Sequence, residues 1–368
     1  MNENNLRVLQ MGKFYPVKGG VEKVEYDLML GLSQRGVRCD MLCAAYEGGS
    51  RVEPVNDHAR LICCRTVMRA AATMIAPSMV RVVRHIVSQY DLVHIHHPDP
   101  MACLALYLSD YRGRVVLHWH SDIQKQRLLL HFYSPLQSWL LRRADAVVAT
   151  SPVVLRESPF LRGVLRKAVC FPIGVSAMRP DPAEVEALRA RYGGRKIVFS
   201  LGRLVPYKGY RYLIEAARYL DDGYVVLIGG VGPLCGELLD LISAYGVHDR
   251  VQLLGYVSEE DLPTYYGACT LFCLSSVQKT EAFGIVQIEA MSCGKPVVAT
   301  RIPGSGVAWV NQDGVSGLNV EPANARALAE AIKAVADHQD AYERFALGAG
   351  KRYRDLFTHD RMIDNCIR

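Results

Sequence analysis

Short apolar runs alternate with amphipathic helical stretches along the whole chain, and this rhythm constrains the fold more than any other feature. Arg7–Met11 reads as a strand. Gly12–Gly20 reads as a loop with Pro16 and the pair Gly19-Gly20, and Val21–Gln34 as a helix. Val21, Val24, Leu28 and Leu32 form the buried stripe of that helix. Gly36 supplies its stop. Val37–Leu42, Leu92–Ile95, Val115–Leu117 and Ala146–Ala149 follow as strands. Apolar strands separated by helices predict a parallel sheet covered on both faces.

The rhythm breaks at Phe171-Pro172-Ile173-Gly174 and Arg179-Pro180-Asp181-Pro182, then restarts. Strands are expected at Lys196–Ser200, Tyr224–Ile228, Val251–Leu254, Leu271–Leu274 and Pro296–Thr300. Helices are expected at Gly209–Tyr219 and Pro233–Tyr245. A chain of 368 residues is long enough for two domains at about 150 residues each. The expected fold is α/β: two Rossmann-like, doubly wound domains with a ligand cleft at the C-terminal strand ends. The domains are placed at residues 1–175 and 176–352, with 353–368 as a C-terminal helix returning to the first.

Composition removes several classes. Half of the residues are hydrophobic and 22% are charged, which excludes a disordered or fibrous chain. No apolar run reaches the roughly 18 residues of a membrane span. The longest, Ala70–Val80, contains Thr73, Pro77 and Ser78. The polar start, Met1-Asn2-Glu3-Asn4-Asn5, does not resemble a signal peptide. The eleven cysteines include no CxxC pair, so reduced thiols in a cytoplasmic protein are expected. Up to Arg179 there are 23 Lys and Arg against 14 Asp and Glu, whereas the remainder is slightly acidic. A basic first half fits an anionic partner, whether nucleic acid, anionic lipid or a phosphorylated acceptor. Arg65, Arg69, Arg81 and Arg84 flank Ala70–Val80 as a basic amphipathic stretch suited to a membrane surface.

The strongest chemical signal is Glu281-Ala-Phe-Gly-Ile-Val-Gln-Ile-Glu289, followed by Ala290-Met-Ser-Cys-Gly294. Glu281 belongs to the loop after the Leu271–Leu274 strand. A helix opens around Gly284 and ends at Gly294. Phe283, Gly284 and Ile285 then offer backbone N–H groups at a helix N-terminus, a place for phosphate or sugar oxygens. Glu289, a turn and a half on, can accept both hydroxyls of a ribose. Arg203 and Lys208 follow the strand ending at Ser200, a place from which their side chains can reach a cleft and meet an anion. Gly19-Gly20, between the first strand and its helix, permits close backbone approach to a phosphate. Val115-Val-Leu-His118-Trp-His120-Ser-Asp122 brings two histidines to a strand end. His94-Ile-His96-His97-Pro98 ends another. An i, i+2 pair puts only two histidines on one face of a strand and no acidic ligand is evident, so no metal site is expected.

These segments resemble the signature of retaining, nucleotide-sugar-dependent glycosyltransferases of family 4, which have the two-domain GT-B fold. Gly202-Arg203-Leu-Val-Pro-Tyr-Lys208-Gly209 matches the family's GR-x4-KG element, and Gly229-Gly-Val-Gly232-Pro233 its GxGP turn. Gly19-Gly20-Val-Glu22 matches the N-terminal glycine loop, and Asp313-Gly-Val-Ser-Gly317 the DGxxG loop. The order is right over nearly the whole chain.

The resemblance implies transfer of a sugar from a nucleoside diphosphate to a hydroxyl by same-face substitution, with retention. His120, Arg203, Lys208 and Glu281 would be its catalytic residues, with His120 at the donor sugar or acceptor and Glu281 holding donor hydroxyls. Gly19, Gly20, Phe283, Gly284, Ile285 and Glu289 would bind the donor. No Asp-x-Asp motif occurs, and the family implies no metal and no cofactor beyond the donor. The stretches around His120 and Glu281 look most like bacterial O-antigen mannosyl- or rhamnosyltransferases. A GDP-sugar donor and a lipid-linked saccharide acceptor are therefore expected rather than nucleic acid, at the inner face of the plasma membrane. The competing readings are a UDP-sugar-dependent transferase, a GT-B nucleotide-sugar epimerase, and a binding subunit that would lack Arg203, Lys208 or Glu281.

Overall fold

The structure, a computed structural model, describes residues 6–70, 73–123 and 127–368. The chain divides into two compact units, one running to Ile173 and resuming at His359–Arg368, the other Gly174–Thr358.

The first unit contains strands β1 (Arg7–Tyr15), β2 (Arg38–Ala45), β3 (Arg51–Asn56), β4 (Ala59–Arg65), β5 (Met68–Ala70), β6 (Thr73–Ile75), β7 (Leu92–His97), β8 (Arg114–Trp119), β9 (Ala146–Ala149) and β10 (Ala168–Cys170). Eight form one sheet in the order β10-β9-β8-β7-β1-β2-β4-β3. Neighbours are parallel except β3, which runs antiparallel to β4. Leu9, Met11, Val93, Ile95, Leu117, Trp119 and Val147 are buried in one cluster, joined by Met79 and Val83 from the helix Ser78–Ile86.

Three local expectations are corrected. The first strand does not end at Met11: after an irregularity, Phe14 and Tyr15 pair again with Ala44 and Ala45, so β1 absorbs part of the expected loop. Residues 51–65, for which no element was expected, form a hairpin whose first strand alternates half-buried and exposed residues around Pro54. The segment Ala70–Val80 is not one amphipathic element. β5 and β6 form a small antiparallel hairpin, and helix begins at Ser78, just after Pro77. Residues 71 and 72 lie outside the described residues. Arg69 stacks over the Tyr46 ring at 3.9 Å, and Arg84 Nε donates to Leu108 O at 2.7 Å.

The second unit contains β11 (Lys196–Leu201), β12 (Tyr224–Gly229), β13 (Val251–Gly255), β14 (Leu271–Leu274), β15 (Val297–Thr300) and β16 (Gly317–Val320). They form a parallel sheet in the order β13-β12-β11-β14-β15-β16. Val198, Val226, Leu271 and Val298 meet Leu213, Leu328 and Ile332 in its core.

The unit boundaries differ from 175 and 352 for a visible reason. Val175 N donates to Phe357 O and Tyr353 Oη to Val175 O, both at 2.9 Å. Phe357 packs edge-on against Phe283 and Trp309. Both ends of Gly174–Thr358 are thus sewn into the second unit, and only His359–Ile367 returns to the first as a helix. That helix lies against Gly20–Gln34 at Gly31, where a Cβ would overlap Ile363 Cδ1. Arg35 pairs there with Asp360 at 3.0 Å and Asp364 at 2.7 Å. Among the described residues no helix is long and apolar enough to cross a membrane, and all eleven cysteines are free.

Candidate active site

Strand order reverses once in each sheet, between β1 and β7 in the first unit and between β11 and β14 in the second. Loops leaving neighbouring strands on opposite sides open a crevice at such a point. In the second unit, β11 leads through Gly202 into Arg203–Lys208 and β14 through Ser275-Ser276 into Glu281. Lys208 Nζ lies 2.6 Å from Glu281 Oε2, with both side chains about nine-tenths buried. The same oxygen accepts from Ser276 Oγ at 2.9 Å, and Ser275 Oγ fixes the Lys208 carbonyl at 3.0 Å. Gly202 has φ +152°, and a Cβ there would lie 2.9 Å from Lys208 Cε. A side chain at 202 would therefore displace the lysine. Arg203 is exposed, and the one hydrogen bond its side chain makes among the described residues is a long one, 3.5 Å, to Tyr207 Oη. Its planar fork of donors is available to a diphosphate.

The helix Ile285–Ser292 starts where the sequence places it. Gly284 is its N-cap at φ +77°, packed so that a Cβ would meet Leu274 Cδ2 at 2.8 Å. Phe283 is buried among Trp309 and Phe357 and anchors the loop by its ring, so only its backbone is free to serve a ligand. Ile285 opens the helix, whose first N–H groups have no intrahelical acceptor. Glu289 is 7% exposed and accepts from the Tyr266 hydroxyl at 2.7 Å. One carboxylate oxygen is thereby committed to the protein, and Tyr266 is a member of this site that the sequence did not flag.

In the first unit, Gly19 is the exposed, extended N-cap of helix Gly20–Gln34. Behind it lie Glu22, 3.8 Å from Lys13 Nζ, and the buried Glu25, which accepts from Lys13 N at 2.9 Å. Burial pushes the Glu25 carboxyl well up, and pushes that of Asp99, the cap of Pro100–Tyr107, up to about 6.

His120 follows β8 and is 4% exposed. It stands at the end of a stack of four buried imidazoles from two adjacent strands, His94 and His96 of β7 and His118 and His120 of β8. Burial pushes all four far below the usual histidine range, His94 to about 4, so the stack is neutral at neutral pH. Ring nitrogens of His94, His96 and His118 lie within 4.8 Å of one another. The sequence argument against three histidines on one face counted a single strand, whereas the β7–β8 register sets His118 directly beside His96. Their planes are nearly parallel, 10–27° apart. Imidazole lone pairs lie in the ring plane, so stacked rings do not converge on one ion without rotating. His97 turns to the other face, stacked on Trp119 at 3.7 Å. Trp119 Nε1 in turn donates to Asp122 at 3.0 Å.

Two family models account for the chain: Glycosyltransferase Family 4 over residues 18–178, and Glycosyl transferases group 1 over residues 184–352. O-antigen chain mannosyltransferase C of Escherichia coli is 30% identical over 363 residues, 98% of this chain and 96% of that protein. D-rhamnosyltransferase WbpZ of Pseudomonas aeruginosa is 31% identical over 358 residues, 96% of this chain and 92% of that one. The chain is a family 4 glycosyltransferase. As an enzyme it is a hexosyltransferase, and its fold is GT-B. Anabaena HepE, solved with UDP and glucose, matches with a TM-score of 0.80 at 22% identity over 98% of both chains. The glycosyltransferase WaaG matches with 0.68 at 17% over 98% of both. At these identities the structures establish the fold.

Proposed function

We propose that this glycosyltransferase moves a mannose or rhamnose unit from a GDP-sugar, with retention and without a metal ion, to a hydroxyl of a lipid-linked saccharide in O-antigen synthesis. The full-length likeness to a mannosyl- and a rhamnosyltransferase at about 30% identity carries the sugar and the pathway. The buried Lys208–Glu281 pair carries the chemistry.

In this reading Arg203 and Lys208 hold the diphosphate and meet the charge that grows on it as the glycosidic bond breaks. The N–H groups at Phe283, Gly284 and Ile285 offer phosphate oxygens hydrogen bonds and the positive end of a helix dipole in place of the charge a metal would supply, and the Gly19-Gly20 backbone is a further donor-binding element. Glu281 keeps donor hydroxyls in place, Glu289 takes the ribose, and His120 contacts the sugar. The leaving phosphate takes the acceptor proton on the same face. Val67 and Met68, well exposed beside Arg65, extend the reading to peripheral contact with the anionic inner face of the plasma membrane.

The test is a binding and turnover screen of GDP-mannose, GDP-rhamnose, UDP-glucose and UDP-N-acetylglucosamine, each with and without EDTA. Selective GDP-sugar binding and nucleotide release, unchanged by EDTA and lost in Lys208→Ala, are expected. Selective UDP-sugar turnover would overturn the donor, and loss of turnover in EDTA would overturn metal independence.

A further inference from the structure

The histidine stack contains a hydrogen-bonded chain that runs across three neighbouring strands. Gln10 lies on β1, His96 on β7 and His120 just beyond β8, and all three are 0–4% exposed. Gln10 Oε1 is 2.7 Å from His96 Nε2, and His96 Nδ1 is 2.8 Å from His120 Nε2. The amide nitrogen of Gln10 points the other way, to Cys39 Sγ at 3.7 Å. His120 Nδ1 is buried and has no hydrogen-bond partner among the described residues.

Each link determines the next. An amide oxygen only accepts, so His96 Nε2 carries the proton and His96 Nδ1 is a lone pair. That lone pair accepts from His120 Nε2–H. His120 Nδ1 is then itself a lone pair. Reversing the Gln10 amide would reverse every proton and leave His120 with a buried, unpaired Nδ1–H. His118, with both ring nitrogens buried and without a hydrogen-bond partner among the described residues, already leaves one such N–H in the stack, and the orientation with Oε1 toward His96 spares a second.

We propose that Gln10 and His96 are positioning residues that lock His120 as its Nε2-protonated tautomer, making His120 Nδ1 a hydrogen-bond acceptor for a hydroxyl of the sugar substrate. The proposal rests on the reading that His120 contacts the sugar. It deepens that reading by naming the group recognised: a hydroxyl that donates, rather than a phosphate or carbonyl oxygen, which would face a lone pair. A neutral imidazole is required, and burial, reinforced by the nearby Lys13 charge, opposes protonation of His120.

The tautomer is read directly by NMR of protein labelled with 15N-histidine, with the His120 signals assigned by their loss in His120→Gln. The expected wild-type pattern is a protonated Nε2 and a bare Nδ1. In Gln10→Leu and His96→Leu the pattern should shift toward the other tautomer. Nucleotide release from the donor selected by the screen should fall about 10–100-fold in kcat, with KM for the donor changing far less. His96→Asn, whose side-chain oxygen can accept from His120 Nε2–H, should restore much of the loss. The remaining histidine signals report whether each variant is folded. A bare Nε2 on wild-type His120, or an unchanged tautomer in both leucine variants, overturns the chain. Wild-type turnover in His120→Gln overturns the sugar contact on which the proposal rests, and does so in kinetics alone, so the two failures are distinguishable.

Discussion

The Lys208–Glu281 pair makes a quantitative demand on both stability and turnover. The two charged atoms are 2.6 Å apart and about nine-tenths buried, with Ser276 Oγ as the further partner at 2.9 Å. Lys208→Ala leaves a carboxylate desolvated beside a single hydroxyl, and removing one partner of a buried pair costs about 3–5 kcal/mol. Glu281→Gln leaves the ammonium in the same position and should cost a comparable amount. The double variant removes both charges, so its cost should fall short of the summed singles by about 2–3 kcal/mol, the upper range for contacting residues. The chain has two compact units, so a single two-state melt is not the right observable. Calorimetry should resolve a transition for Gly174–Thr358, and in a unit of this size each kcal/mol moves it by about 2–4 °C. Either single variant should therefore lower that transition by roughly 6–20 °C and leave the other unit's transition in place. Lys208→Ala should also cut kcat by about 10²–10³-fold if the ammonium meets the developing diphosphate charge. A shift under 2 °C with additive double-variant behaviour would refute the buried pair. A large shift with unchanged turnover would leave the pair standing and remove its catalytic role.

Other consequences follow from particular contacts. Five buried histidines, His94, His96, His97, His118 and His120, have folded-state pKa values below the unfolded value of about 6.5, with His94 and His97 near 4. Below pH 6.5 the unfolded chain binds more protons at these sites. The first unit should therefore lose stability as pH falls from about 6.5 to 4. Glu25 and Asp99, raised by burial, act in the opposite sense but are only two against five. The first unit's calorimetric transition should move down between pH 7.5 and 5, and an upward move would refute the neutral stack. Gly31→Val places methyl groups where Ile363 already sits and should cost about 1–3 kcal/mol. Faster amide exchange confined to His359–Ile367 would report it. Gly284→Ala combines a left-handed φ, worth about 1–2 kcal/mol, with a contact to Leu274. It should raise KM for the donor severalfold in initial-rate kinetics.

The two parallel sheets were legible because a strand buried on both faces must be apolar throughout, as Tyr224–Gly229 and Leu271–Leu274 are. The helix at Gly284 was legible because glycine marks both its ends, at φ +77° and, for Gly294, +66°. The hairpin at residues 51–65 was not, because Pro54 in an edge strand reads as a loop and the pairing with β4 has no local signature. Tyr266 escaped for another reason. It is one aromatic residue in a short helix, and only tertiary packing aims its hydroxyl at Glu289.

The histidines show the limit most clearly. Spacing along one strand gives the face on which a residue lies, but the partner on the next strand depends on register, which is set by the sheet as a whole. A count made on β7 alone finds two histidines on a face, whereas the pairing of His96 with His118 makes a stack of four. That register also decides what the stack can do. It lays the rings parallel, which suits a chain of hydrogen bonds passing from ring edge to ring edge better than convergence on one ion. Gln10, unremarkable in sequence, becomes the residue that sets the direction of that chain because β1 lies at the point where strand order reverses. The same topology places Lys208 and Glu281 on the two loops flanking the reversal in the other unit. In both units the chemistry-bearing contacts therefore join segments far apart in sequence, and a reading along the chain recovers the residues before it recovers their bonds.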